Sequence, residues 1–84
     1  MSEMKSNEEI EHYFSGLKNV AYVKVTGDGY HYNLTLVSDE FCGLSKVARQ
    51  QWVYAKLKED IAAGHVHAIT MTTLTIKEWE KQHG

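Results

Sequence analysis

The chain has 84 residues, 43% hydrophobic and 24% charged, the composition of one small folded domain rather than a disordered segment. Nine basic against eleven acidic residues leave a net charge of −2, which supplies no general attraction to nucleic acid or anionic lipid. No apolar run approaches the roughly 18 residues that span a bilayer and no secretory leader pattern appears, so a soluble, cytoplasmic protein is expected.

The ends, about residues 1–5 and 82–84, are expected to fray. Ser6-Asn7-Glu8-Glu9 reads as a capping box, and Ile10, Tyr13, Phe14 and Leu17 then recur at helical spacing, which predicts a helix over 7–17. Residues 20–26 alternate, with Ala21, Val23 and Val25 on one side; residues 31–38 alternate again, with Tyr32, Leu34 and Leu36 on the apolar side. Gly27-Asp28-Gly29-Tyr30 between them is a turn signal, so the two strands form a hairpin.

Residues 38–43 read as a short helical turn closed by Gly43, and Ser45 caps a longer helix ending at Gly64. On that helix Leu44, Val47, Tyr54, Leu57 and Ile61 fall on one broad face, the predicted core stripe. Trp52 lies nearly opposite, so it is expected at the surface. Residues 66–74 form a β-branched strand, and Thr75-Ile76-Lys77-Glu78 is a second capping box, opening a terminal turn with Trp79.

The whole is one domain, 1–84, of α+β class: three strands in a mixed sheet covered by helices. The helical crossover between the second and third strands makes those two parallel. Their first residues, His31 and His67, then lie at the same end of the sheet with rings ~5–10 Å apart. The chain carries five histidines but one cysteine, too few thiols for an internal disulfide or an all-thiolate metal site, so metal or proton chemistry rests on imidazole.

Nearly everything after the first helix resembles the BolA family, in particular its IbaG-like branch. The matching stretches are Val25-Thr26-Gly27-Asp28-Gly29-Tyr30-His31-Tyr32 and Val37-Ser38-Asp39-Glu40-Phe41-Cys42-Gly43-Leu44-Ser45, followed by Arg49-Gln50-Gln51-Trp52-Val53-Tyr54, Val66-His67-Ala68 and Thr75-Ile76-Lys77-Glu78-Trp79. The resemblance implies a BolA-like fold similar to a type II KH domain, which agrees with the element order above. It implies a non-enzymatic adaptor that shares a [2Fe-2S] cluster with a monothiol glutaredoxin, in iron–sulfur or iron homeostasis and stress response. By the same resemblance His67 is the recurrent cluster ligand and His31 the second. The glutaredoxin adds a cysteine and bound glutathione, and apo iron–sulfur proteins are the recipients. Two imidazoles cannot fill a cluster's ligand shell, so no cluster is expected on the isolated chain.

Plainer readings stand beside these. His67 on its own reads as a half-buried strand histidine, and His31 as a solvated turn residue. His65 forms an H-x-H pair with His67, an auxiliary ligand candidate, although a histidine just past a helix end also suits the terminal carbonyls. Asp28 is the other auxiliary candidate, as an acceptor from His31, but turn chemistry explains it equally. His12 and His83 read as surface residues, and Cys42 as a half-buried inert thiol. Lys46, Arg49 and Lys56, with Lys58, form a basic strip and Trp52 an exposed anchor, together a partner or nucleic-acid surface. The competing function is therefore a KH-like nucleic-acid-binding transcriptional regulator. No nucleophile–base pattern supports an enzyme, and no feature points to a membrane.

Overall fold

The computed structural model describes residues 4–28 and 30–83. The first helix, α1 (Asn7–Ser15), starts where the capping box places it. Ser6 Oγ accepts the Glu9 N–H at 3.1 Å and the Glu9 carboxylate accepts the Ser6 N–H at 2.9 Å. The helix stops two residues short of the predicted end, with Gly16 as its cap, and buries Ile10 and Phe14. Asn19 then adopts a left-handed conformation (φ 67°) that turns the chain into the sheet. Its carbonyl accepts from Ser38 Oγ and from the Asp39 N–H, which ties the α1–β1 corner to the far end of the hairpin.

Strands β1 (Val20–Gly27) and β2 (His31–Ser38) are antiparallel, and β2 pairs in parallel with β3 (Ala68–Leu74), giving the order β1-β2-β3. The parallel pair follows from the helical crossover, as expected. One sheet face carries Val25, Tyr32, Leu34 and Leu36, all buried, with Ile69 and Met71 at its margin; α1 and α2 (Lys46–Ala62) cover it. Tyr32 is fully buried, and its hydroxyl donates to the Lys5 carbonyl. Burial also pushes the Tyr32 phenol up in pKa, which keeps that donor proton in place. Residues 4 and 5 are held against the fold: Met4 packs on the core, and the Lys5 N–H donates to the His65 carbonyl at 3.0 Å. The frayed-end expectation for residues 1–3 and 84 lies outside the described residues.

The long helix forms as predicted, capped by Ser45, but it presents a different face to the core. Arg49, Val53 and Leu57 are the buried residues, whereas Val47, Tyr54 and Ile61 are 62%, 43% and 37% exposed. The reason is Arg49. A charged residue was read as surface, yet its guanidinium is buried among carbonyls and a carboxylate, which rotates the helix away from its most apolar stripe. Trp52 is correspondingly half-buried rather than exposed, with its ring edge-on to Phe41 at 5.3 Å. Trp52→Ala is expected to cost about 2–3 kcal/mol in urea unfolding; a loss below about 0.5 kcal/mol would show that the ring contributes no packing.

The other sheet face is partly covered by α3 (Ile76–His83), which starts at the second capping box, with Glu78 and Thr75 bonded reciprocally. Trp79 stacks between Tyr22 (4.6 Å) and His83 (3.8 Å), over the end of the sheet where Val37 pairs with Leu74. The remainder of this face is polar and open: Lys24, Thr26, His31, Asn33, Thr70 and Thr72 are all exposed. The outer edge of β1 is covered by α1, since Glu11 Oε2 accepts the Val25 N–H at 2.8 Å and Asn7 Nδ2 donates to the Gly27 carbonyl. None of the helices is long and apolar enough to cross a membrane among the described residues.

Candidate metal centre at the β2–β3 edge

The hairpin loop sets the position of His31. Gly27 has φ +139°, and a Cβ built on it would lie 2.1 Å from the His31 carbonyl oxygen, so a side chain cannot be fitted there. Asp28 Oδ1 accepts the N–H groups of Tyr30 and His31, each at 3.0 Å, a turn closed by its own side chain. These N–H donors, that of His31 first, hold the Asp28 carboxyl below its ordinary range. Asp28 therefore positions the backbone of His31, the turn role that the sequence offered beside a bond to the imidazole.

His31 pairs with Ala68 across the parallel ladder. His67 precedes Ala68 by one residue and lies just outside β3, which starts two residues later than predicted. Strand spacing then separates the Cα atoms of His31 and His67 by about 6 Å. Both residues are exposed. The His67 ring has no hydrogen-bond partner among the described residues, which removes the reading of a half-buried, carbonyl-bonded histidine. His31 Nε2 lies 2.9 Å from Thr70 Oγ1. A proton on Nε2 donated to Thr70 leaves Nδ1 with a free lone pair, the arrangement in which an outer partner fixes a ligand's tautomer and ring. Thr70 was missed in the sequence, although strand alternation puts it on the same sheet face as His31, one step along β3.

The remaining candidates are held elsewhere. His65 turns its Nδ1 to Asp60 Oδ1 at 3.3 Å, an oxygen it shares with Lys5 Nζ, also at 3.3 Å. It closes the C-terminal end of α2 instead of assisting His67. His12 is exposed, and His83 is stacked on Trp79. Cys42 is exposed, not half-buried, at the end of the 3-10 turn Asp39–Phe41. Among the described residues no group of three or more His, Cys, Asp or Glu side chains comes together as a metal site. The starts of β2 and β3 thus carry two accessible imidazoles, a donor type that suits iron among other metals.

Folding takes Arg49 out of the basic strip, whereas Lys46, Lys56 and Lys58 stay exposed. Arg49 donates to the Leu44 and Thr73 carbonyls and to Glu78, and only 7% of it is exposed. Lys46 Nζ reaches the Thr73 carbonyl at 3.4 Å, and Lys56 lies over the Trp52 ring at 5.1 Å. A surface for phosphates would need these cations directed outward together.

The α+β domain with its three-stranded mixed sheet has the fold of solved BolA-type proteins. Among them is a BolA homologue from Coxiella burnetii, at a TM-score of 0.79 and 26% identity over 92% of this chain and 99% of that one. Residues 4–78 match the family model described as BolA-like protein, and the chain belongs to the BolA family. It is 36% identical over 75 residues to the acid stress protein IbaG of Escherichia coli, covering 89% of each chain. It is 37% identical over 57 residues to the DNA-binding transcriptional regulator BolA of Vibrio cholerae, covering 68% of this chain and 53% of that one. Among solved structures it is similar to yeast Fra2, with a TM-score of 0.72 and 28% identity, over 92% of this chain and 86% of that one.

Proposed function

We propose that the chain is a non-enzymatic adaptor that shares a [2Fe-2S] cluster with a monothiol glutaredoxin, His67 and His31 being its contribution to the ligand shell. The observation that carries this reading is the pair of exposed imidazoles at neighbouring strand starts, one with no partner and one oriented by Thr70. Family membership supports it. The cluster is cargo, and nitrogen ligation on one iron raises its reduction potential relative to thiolate ligation. The chain's own part is to present two imidazoles at the starts of neighbouring strands. Asp28 and Gly27 hold the loop that carries one of them; the α2–β3 connection carries the other.

The test is to mix the protein with a monothiol glutaredoxin, glutathione, ferrous iron and sulfide, and to record visible absorption and circular dichroism. A spectrum distinct from that of the glutaredoxin alone is expected, absent with His67→Ala and altered with His31→Ala. A spectrum unchanged by adding the protein overturns the reading. Thr70→Val gives a finer check. It is expected to leave the fold and heterodimer intact while shifting the His31-dependent dichroic bands, because the ring loses the bond that fixes its tautomer. Bands identical to wild type would remove Thr70 from the site.

A further inference from the structure

The two edges of the sheet are treated differently. On β1 the outward N–H of Val25 and the carbonyl of Gly27 are bonded by α1 side chains. On β3 the Ala68 N–H donates to the Tyr30 carbonyl, so Ala68, Thr70 and Thr72 turn their amides toward β2. Ile69, Met71 and Thr73 then turn theirs outward. The Thr73 carbonyl is taken by Arg49 and Lys46. The N–H and C=O groups of Ile69 and Met71 have no partner among the described residues. The strand that carries them, Ala68-Ile69-Thr70-Met71-Thr72-Thr73-Leu74, has no charge and no proline, the features by which edge strands usually resist pairing.

A second observation lies directly above that edge. Around α2, Trp52 and Lys56 lie to one side of the buried Arg49–Val53–Leu57 stripe and line a groove with Leu17 and Lys18, next to α1. Val47, Tyr54 and Ile61 lie to the other side, away from α1, at seven-residue spacing and exposed. An apolar helix flank and an unpaired strand edge thus face the same direction. The stripe that looked like core in the sequence is apolar without being used by the fold.

We propose that this composite face pairs with a second copy of the chain about a twofold axis beside Thr70. Antiparallel β3 strands then set Ile69 opposite Met71 of the other copy and Met71 opposite Ile69, so each outward N–H and C=O meets its complement. The same axis brings the two α2 helices side by side and antiparallel, Val47 against Ile61 and Tyr54 against Tyr54, within the 8–10 Å at which helices pack. The twofold is what selects the occupant. One operation satisfies both the hydrogen-bond edge and the helix flank, the mark of an isologous interface, and the uncharged strand sets no like charges against each other. The pairing is short, because Arg49 and Lys46 close the edge at Thr73, so the dimer is a weak one. The proposal rests on other observations than the cluster reading, but its register also sets His67 opposite Thr73 of the other copy, so the dimer and a cluster-sharing complex compete for this end of β3.

Sedimentation velocity over a dilution series reaching about 1 mM, with amide exchange by NMR, tests it. A monomer–dimer equilibrium is expected, with Ile69 and Met71 amides gaining protection as concentration rises. Tyr54→Glu, at an exposed position, and Met71→Pro, which removes a donor the monomer does not use, are each expected to weaken dimerisation about tenfold or more. Tyr13→Ser, on the opposite flank, is expected to leave it unchanged. A chain monomeric throughout, or a dimer indifferent to Tyr54→Glu and without added protection at Ile69 and Met71, overturns the proposal. Circular dichroism of Tyr54→Glu verifies that the variant is folded.

Discussion

Gly27→Ala is expected to lower the melting temperature by about 10–20 °C and to abolish the His31-dependent part of the cluster spectrum. The backbone there has φ +139°, a region that only glycine occupies without strain, and the new Cβ would meet the His31 carbonyl at 2.1 Å. The obstacle is backbone rather than the end of a flexible side chain, so relief requires the hairpin to open. Opening breaks the Gly27↔Tyr32 pairing and the Asn7 bond to the Gly27 carbonyl. Together these are worth about 2–4 kcal/mol. The measurement is a thermal melt by circular dichroism, followed by cluster reconstitution at a temperature where the variant is folded. A melting temperature within about 2 °C of wild type would mean that the loop finds another path.

Arg49→Met is expected to destabilise by about 2–3 kcal/mol, more than any surface change of charge. One guanidinium joins α2 to the chain before it through the Leu44 carbonyl, to β3 through the Thr73 carbonyl, and to α3 through Glu78 at 2.8 Å. The Glu78 carboxylate keeps partial access to water, so the loss stays below that of a fully enclosed pair. Arg49→Lys should recover less than half of it, since an ammonium cannot serve three directions from one plane. The acid limb gives a second readout. Arg49, followed by the Thr75 N–H, lowers the Glu78 carboxyl from 4.5 to about 2. A carboxyl with its folded value depressed stabilises fully above its unfolded value and loses that contribution as pH falls through the folded one. The gap between wild type and Arg49→Met should therefore be constant above about pH 4.5 and narrow toward pH 2. A gap that does not change with pH would assign the effect to packing alone.

Much of the fold was legible because its signals are local. Both capping boxes, the hairpin turn and the alternation of β2 are written in neighbouring residues, and the parallel pairing followed from the length of the crossover. The facing of α2 was not legible, because it depends on a partner twenty-nine positions away: Glu78 decides that Arg49 points inward. A periodicity argument weighs Val47, Tyr54 and Ile61 by hydropathy alone and cannot distinguish a stripe that folds the chain from one left outside. At the site, the same-end placement of His31 and His67 came from strand direction and the ligand roles from family resemblance. Of the two roles the sequence left open for Asp28, the turn role holds, because its carboxylate accepts the backbone N–H groups of Tyr30 and His31. Thr70 was overlooked because its part depends on the register of β3 against β2.

The last helix has no fully buried residue. It is held by Arg49 on Glu78 and by Trp79 lying on Tyr22, both within its first turns. Such an element opens at a lower free energy than the whole domain. The two tryptophans divide along that line, Trp52 on α2 with its ring against Phe41 of the core and Trp79 on the helix that can detach. Single-tryptophan variants therefore give this chain two separate optical clocks, one for local release of the C-terminal helix and one for global unfolding.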